Sequence, residues 1–153
     1  MLDTNKNKKD NPSIDQYGWD SHIILLLLQI VLHRQQYLCH KDSNLSEVEC
    51  AKNPVIDDFI FNTFINHKLV KYYNIMSKNT RNSVVPTDLT LEELKQIVRS
   101  IYSRGLPQNE NNDPNTLVAL CNYYYFKRID ELENNILPKI KKQLQQQQNK
   151  VLN

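Results

Sequence analysis

The stretch IILLLLQIVL, residues 23–32, predicts the central element of the fold. Apart from Gln29 the run is entirely apolar. It is about half as long as a membrane-spanning helix needs to be, so we interpret it as a buried core helix. We expect this helix to begin near Trp19 or Asp20 and to run to about Tyr37, with Asp20 accepting hydrogen bonds from first-turn amides.

The composition of the chain favours a helical domain built around this helix. The 153 residues are enough for about one domain, and a sandwich or barrel is disfavoured because only two glycines are available for tight turns. So few glycines also exclude Gly-rich phosphate-binding loops. The sequence therefore predicts an all-α, compact bundle of about five helices. We divide the chain into a flexible N-terminal tail (1–16), a single helical domain (17–138) and a Gln-rich C-terminal tail (139–153).

Two further helices are predicted in the middle of the chain. Asn53-Pro54, followed by two acidic residues, is typical of a helix start, with Asn53 as the capping residue. Asn66-His67 interrupts the apolar pattern of this region. A new stripe then predicts a second helix, whose apolar face would consist of Leu69, Tyr72, Tyr73 and Met76.

The last two helices have clearer signals. Thr90 and Glu93 form a capping box ahead of an apolar face made of Leu94, Ile97, Val98 and Ile101. Gly105 and Pro107 would end that helix. Asp113-Pro114 would start the last long helix, with Pro138 bending or ending it. Its predicted core face is Val118, Cys121, Tyr125, Ile129, Leu132 and Ile136.

The segment CNYYYFKRIDELE, residues 121–133, combines aromatic and basic side chains in a way that single-stranded nucleic acid or a protein partner could use. Helical spacing places Tyr125 on the core face and leaves Tyr123 and Phe126 on the side that carries Lys127. The acidic residues that follow would repel a phosphate backbone. We therefore predict protein-partner contact through Tyr123, Phe126 and Lys127.

A nucleic-acid role would depend on a local basic patch, since the net charge is only +2. The two short helices that meet near Asn66, followed by a third, fit a helix-turn-helix arrangement. The candidate contacts to double-stranded DNA are Lys68, Lys71, Lys78, Arg81, Arg99 and Arg104. The alternative is that these residues form ordinary solvated faces.

The sequence contains no pattern typical of catalysis or metal binding. The three cysteines form no Cys-x-x-Cys pair, which favours reduced thiols in an intracellular protein. Cys39, His40, Cys50 and His67 have spacings unlike those of a zinc finger or ribbon. We predict a protein that is not an enzyme, has no cofactor, metal or small-molecule substrate, and lacks a membrane span.

Parts of the chain resemble known families. Three helices with a tight junction are similar to homeobox-like and Myb-like DNA-binding domains. HKLVKYYNIMSKNTRN, residues 67–82, with LEELKQIVRSIY, residues 91–102, resembles the MRG-binding protein family of chromatin acetyltransferase complexes. The overall size and composition are similar to those of the small homeobox-like accessory protein of a ciliate DNA adenine methyltransferase complex. The last two resemblances imply a nuclear, non-catalytic subunit.

From these observations we predict a nuclear, non-catalytic accessory subunit of a DNA- or chromatin-modifying complex, with DNA adenine methylation among the modifications considered. It would bind DNA through the basic residues and other protein subunits through the aromatic segment. The alternative is a structural interaction subunit of a cytoplasmic or mitochondrial assembly without a nucleic-acid role.

Overall fold

The regular structure of the chain is helical throughout the part described by a computed structural model, which comprises residues 18–76, 84–104 and 116–152. Seven α-helices and one π-helical segment lie in these ranges. They are α1 (Ser21–Lys41), α2 (Glu47–Lys52), α3 (Asp58–Ile65), α4 (Lys68–Met76), α5 (Leu91–Arg104), α6 (Leu117–Glu131), the π-helical segment (Leu132–Ile136) and α7 (Leu137–Leu152). The predicted all-α bundle is confirmed, and α7 lies where we expected a tail.

Helix α1 is the centre of the bundle, as the apolar run predicted. It packs against α2, α3 and α6, and its contact with α6 is the most extensive. Ile23, Leu27, Leu28 and Val31 are fully buried along it. The predicted cap was wrong, because the Asp20 side chain makes no capping hydrogen bond; the backbone carbonyl of Asp20 accepts from first-turn amides instead.

The predicted start of α3 at Asn53-Pro54 was also wrong. The helix begins at Asp58, and the side chain of Asp57 caps it by accepting a hydrogen bond from the Ile60 amide at 3.1 Å. Two capping signals compete in this segment, and the later one prevails because it directly precedes the apolar face formed by Ile60 and Phe64. Both residues are fully buried.

Helix α4 follows α3 after the predicted break, but it buries a different face. Val70 and Tyr73 point into the core, whereas Leu69, Tyr72 and Met76 are exposed. Only Tyr73 of the predicted stripe is a core residue. A nine-residue helix with apolar side chains on both faces does not show by periodicity which face is buried.

Helix α5 agrees with its prediction. The Thr90 hydroxyl oxygen accepts from the Glu93 amide at 3.2 Å, and the four predicted core residues are buried. Gly105 and Pro107, the predicted end signals, lie outside the described residues, as does Asp113-Pro114, the predicted start of the last long helix.

Helix α6 is rotated relative to the predicted face. Leu117, Leu120 and Tyr124 are buried together with Cys121, while Val118 and Tyr125 are exposed. Thr116 caps the helix by accepting from the Ala119 amide. The buried set repeats at helical spacing as well as the predicted set did, so both faces satisfied the pattern.

Pro138 does not end the last helix. The ring of a helical proline crowds the carbonyl four residues earlier, here that of Asn134. That residue lies within the π-helical segment, whose wider turn accommodates the proline. Helix α7 therefore continues from α6 to Leu152. None of its residues is buried, and its only close packing among the described elements is with the π-helical segment.

Candidate interaction surfaces

The aromatic side chains of residues 123–126 point in several directions from α6. Tyr124 is in the core, and Tyr123 is half-buried with its ring 5.1 Å from that of Tyr124. Tyr125 and Phe126 are 49% and 65% exposed, and their rings meet edge to face at 5.5 Å. The structure thus places Phe126 on the surface, as expected, and adds Tyr125 beside it.

Two cations lie near the buried Tyr124. Lys127 Nζ is 5.8 Å from the centre of its ring, which holds the lysine on the flank of α6. Burial raises the pKa of the Tyr124 hydroxyl, and the charge of Arg104 opposes that increase. Arg104 is therefore directed towards Tyr124 of α6.

The described members of the predicted DNA-binding set lie on two helices, α4 and α5. Lys68 and Lys71 are exposed on α4, and Arg99 is exposed on α5. Lys78 and Arg81 lie outside the described residues. Arg99 borders a groove of about 550 Å³ between α2 and α5, together with Lys52 and Lys95.

Helix α4 presents an apolar surface that we did not predict. Leu69, Tyr72, Ile75 and Met76 are all at least half-exposed, and we call them the α4 outer face. Lys68 and Lys71 directly precede Leu69 and Tyr72 in the sequence. The signal that would have identified this face is the presence of a second apolar pair, Val70 and Tyr73, on the other side of the helix.

A groove of about 870 Å³ lies between α1 and α3. Arg34 forms part of its wall, and its guanidinium carbon is 5.0 Å from the ring of Tyr37 and 4.4 Å from that of Phe59. Its Nε atom also donates to Asp57 Oδ2 at 2.9 Å. Arg34 is thus fixed by two rings and one carboxylate, and it joins α1 to the start of α3.

Helix α7 carries an apolar stripe made of Leu137, Ile140, Leu144 and Val151, all of them exposed. We call this set the α7 seam. For residues 139–153 we had predicted a Gln-rich C-terminal tail and no apolar stripe. The signal was the spacing of three, four and seven residues between its members, which repeats as the first and fourth positions of a heptad do.

The thiols of Cys50 and Cys121 have environments unlike that of a nucleophile. Burial raises the pKa of Cys121 to about 11, and it also raises that of Cys50. A reactive cysteine has a lowered pKa. In the described part of the chain, no three His, Cys, Asp or Glu side chains are grouped so that they could hold a metal ion.

No helix within the described ranges combines the length and the apolar character that a membrane crossing requires. No solved structure matches the chain.

Comparison with known proteins gives a consistent family. Residues 42–148 match the family model described as SWR1 chromatin-remodelling complex, sub-unit Swc7. SWR1-complex protein 7 of Saccharomyces cerevisiae is 41% identical over 128 residues, which cover 81% of this chain and 91% of the yeast protein. SWR1-complex protein 7 of Eremothecium gossypii is 40% identical over 120 residues, which cover 78% of this chain and 87% of that protein.

These matches correct the resemblances drawn from the sequence. The resemblance to the ciliate methyltransferase accessory protein was wrong: size and composition are shared by many small helical proteins and do not identify a family. The segments compared with the MRG-binding protein family, 67–82 and 91–102, lie inside the region that matches the Swc7 model.

The predicted association with a nuclear chromatin complex was right. The family is one of chromatin-remodelling subunits, and the predicted nuclear localisation is confirmed because chromatin is nuclear. The match covers more than half of the chain, from residue 42 to residue 148, and the relatives align over most of their own length. The chain belongs to the Swc7 family of SWR1 chromatin-remodelling complex subunits.

Proposed function

We propose that this protein is a non-catalytic accessory subunit of an SWR1 chromatin-remodelling complex and that it contacts its neighbouring subunit through the outer surface of α6. Membership of the Swc7 family supports the assignment to this complex, because the relatives are named as SWR1-complex proteins.

The observation that carries the proposal is the exposed pair Tyr125 and Phe126. Large aromatic side chains are enriched at protein interfaces and often supply much of the binding energy. The two rings contact each other on a helix whose opposite face is anchored in the core by Leu120 and Tyr124. A rigid helix presenting two aromatic rings needs little ordering when a partner binds.

The other predicted contacts would lie at the edge of such an interface. Tyr123 is half-buried against the core, and Lys127 extends along the flank of α6 over the Tyr124 ring. Contacts at the rim exclude water and contribute less than the central rings. We therefore assign the main contribution to Tyr125 and Phe126 and a smaller one to Tyr123 and Lys127.

Two of the three thiols, those of Cys50 and Cys121, lack the environment of a catalytic nucleophile. Nucleophilic catalysis by cysteine requires a thiolate stabilised near neutral pH. Burial acts in the opposite direction at Cys50 and Cys121 by raising both pKa values.

Double-stranded DNA is a second candidate partner, through Lys68, Lys71, Lys78, Arg81, Arg99 and Arg104. The observation in its favour is that Lys68, Lys71 and Arg99 are exposed, the last beside a groove that also contains Lys52 and Lys95. Phosphate contacts by such side chains would give a strongly salt-dependent affinity. Duplex binding that is unchanged in a Lys71→Glu/Arg99→Glu variant would remove these residues from the proposed site.

The subunit contact can be tested with a Tyr125→Ala/Phe126→Ala variant, tagged and expressed in its own cells. We expect recovery of the complex with this variant to fall by about tenfold or more, as it does when central interface residues are truncated. Gln36→Ala, at an exposed position of α1 instead of α6, is the control and should retain wild-type recovery. If the double variant folds and recovers the complex at the wild-type level, the α6 surface is not the contact.

A further inference from the structure

Helix α7 has the properties of one strand of a coiled coil. Its sixteen residues continue from α6 through the π-helical segment, so α6, this segment and α7 form a helical path from Leu117 to Leu152. The α6 part of this path is buried against α1, while α7 extends away without any buried residue. An isolated helix of this length is only marginally stable in water, and packing against a partner would stabilise it.

The apolar surface of α7 is a narrow stripe. With Leu137 at the first heptad position, Ile140 occupies the fourth position, and Leu144 and Val151 again occupy the first. Gln147 falls at a fourth position and is the one polar member of this register. Apart from Leu152, the last residue of the helix, the large apolar side chains of α7 lie at the first and fourth positions. A stripe of this kind fits a single partner helix, whereas a helix in a globular core has a wider apolar face.

The charges of α7 all have one sign. Lys139, Lys141, Lys142 and Lys150 are its charged residues, and residues 137–152 include no Asp or Glu. In the heptad register Lys141 and Lys150 occupy the fifth and seventh positions, which flank the seam and face the flanking positions of a partner. Lys139 and Lys142 occupy the third and sixth positions on the outer side.

We propose that the α7 seam binds an amphipathic helix of another protein and that this helix carries acidic residues at the positions flanking its own apolar stripe. Apolar side chains of the partner pack against Leu137, Ile140, Leu144 and Val151, and its carboxylates lie opposite Lys141 and Lys150. A second copy of this chain is the poorer occupant, because two α7 helices would bring together lysines with no acidic residue between them.

This inference does not depend on the α6 contact or on membership of a complex, because α7 is tested on the purified full chain. The probes are two synthetic three-heptad peptides that share a leucine seam. One carries Glu at all flanking positions, and the other carries Lys. Titration calorimetry measures the affinity of each probe.

We expect the acidic probe to bind about tenfold or more tightly than the basic probe, and the preference to weaken as salt is added. A Leu144→Gln variant should lose about tenfold in affinity for the acidic probe. It should fold normally, since Leu144 is exposed in the bundle. A Lys141→Glu/Lys150→Glu variant should prefer the basic probe.

The matched control is Lys139→Glu/Lys142→Glu, which makes the same change in net charge on the outer side of the helix. This control should retain the preference for the acidic probe. The inference is overturned if neither probe binds, if both bind equally, or if the outer control reverses the preference as the flanking variant does. Sedimentation showing that the chain pairs with itself through Leu144 would overturn it in favour of a second copy.

Discussion

The side chain of Gln35 pairs with the backbone of Val55 through two hydrogen bonds. Its Nε2 atom donates to the Val55 carbonyl at 2.7 Å, and its Oε1 atom accepts from the Val55 amide at 2.9 Å. Gln35 is buried in α1, so it satisfies both backbone groups of a loop residue that no helix supports. Asn74 does the same for Val85, joining α4 to the segment that precedes α5.

Replacing Gln35 with Ala should lower the free energy of unfolding by about 1–3 kcal/mol, because it removes two hydrogen bonds that each contribute about 0.5–1.5 kcal/mol. Chemical denaturation followed by circular dichroism measures the change. Gln36→Ala, at the exposed neighbouring position, should change stability by less than about 0.5 kcal/mol. Equal effects of the two substitutions would show that the pairing contributes nothing.

Phe64→Ala should destabilise the bundle by about 3–5 kcal/mol through the cavity that it leaves. Phe64 is fully buried in α3, and its ring lies 5.6 Å from that of Trp19. Phe59→Ala on the same helix should cost about 1 kcal/mol or less, since that ring is exposed. Thermal unfolding distinguishes the two variants, and a smaller effect at Phe64 than at Phe59 would contradict the packing of α3.

Stability should fall as the pH decreases through about 6.5 because of His22. Burial, and then the charge of Arg128, lower the pKa of His22 in the folded protein, despite the opposing carboxylates of Asp20 and Glu131. Above the unfolded pKa both states hold a neutral imidazole, and the stability is at its full value. Below it the unfolded chain takes up a proton that the folded chain does not, so the free energy of unfolding decreases.

Denaturant titrations at several pH values between about 7.5 and 5.5 measure this dependence. His22→Gln should reduce the slope, whereas His40→Gln at an exposed position of α1 should retain it. A slope unchanged by His22→Gln would assign the effect to other groups.

The native thiols should react in order of exposure. With iodoacetamide at about pH 8, Cys39 should be alkylated first because it is half-buried, while Cys50 and Cys121 are buried and have raised pKa values. Mass spectrometry over time identifies the modified residue, and all three should react at similar rates in denaturant. Labelling of native Cys121 as fast as Cys39 would contradict the burial of the α6 core face.

The sequence predicted the buried residues of a helix correctly where they form a single apolar run or a single apolar face. The α1 run is too apolar to lie anywhere but in the core, and α5 combines a capping Thr90 with a single apolar face ending in Ile101. Both predictions are confirmed. The nuclear chromatin role was also reached, although through resemblances to other families.

The buried face of a helix was predicted wrongly where two different sets of its residues both repeat at helical spacing. In α6, Val118 with Tyr125 and Leu117 with Tyr124 both repeat at helical spacing, and only the packing against α1 selects the second pair. Adjacent aromatic residues cannot all face the core, so a run of three tyrosines does not indicate which one is buried. In α4 the same ambiguity concealed the exposed outer face.

The proposed partner-binding residues lie on exposed surfaces, where the packing of this chain alone does not select them. The sequence identified Phe126 as an exposed aromatic residue, but it did not identify Tyr125, because that residue had been assigned to the core. The α7 seam was overlooked because glutamines dominate the composition of the region. Its apolar residues become apparent only when Leu137, Ile140 and Leu144 are read at heptad spacing.

The central claim is that this chain is a stoichiometric subunit of an SWR1 chromatin-remodelling complex. The most direct test is to tag it in its own cells, purify it under native conditions and measure the composition of the recovered assembly by quantitative mass spectrometry. We predict recovery of the SWR1 complex with this protein in a fixed ratio to the other subunits. Recovery of the tagged protein alone, or with a different assembly and without SWR1 subunits, would contradict the account.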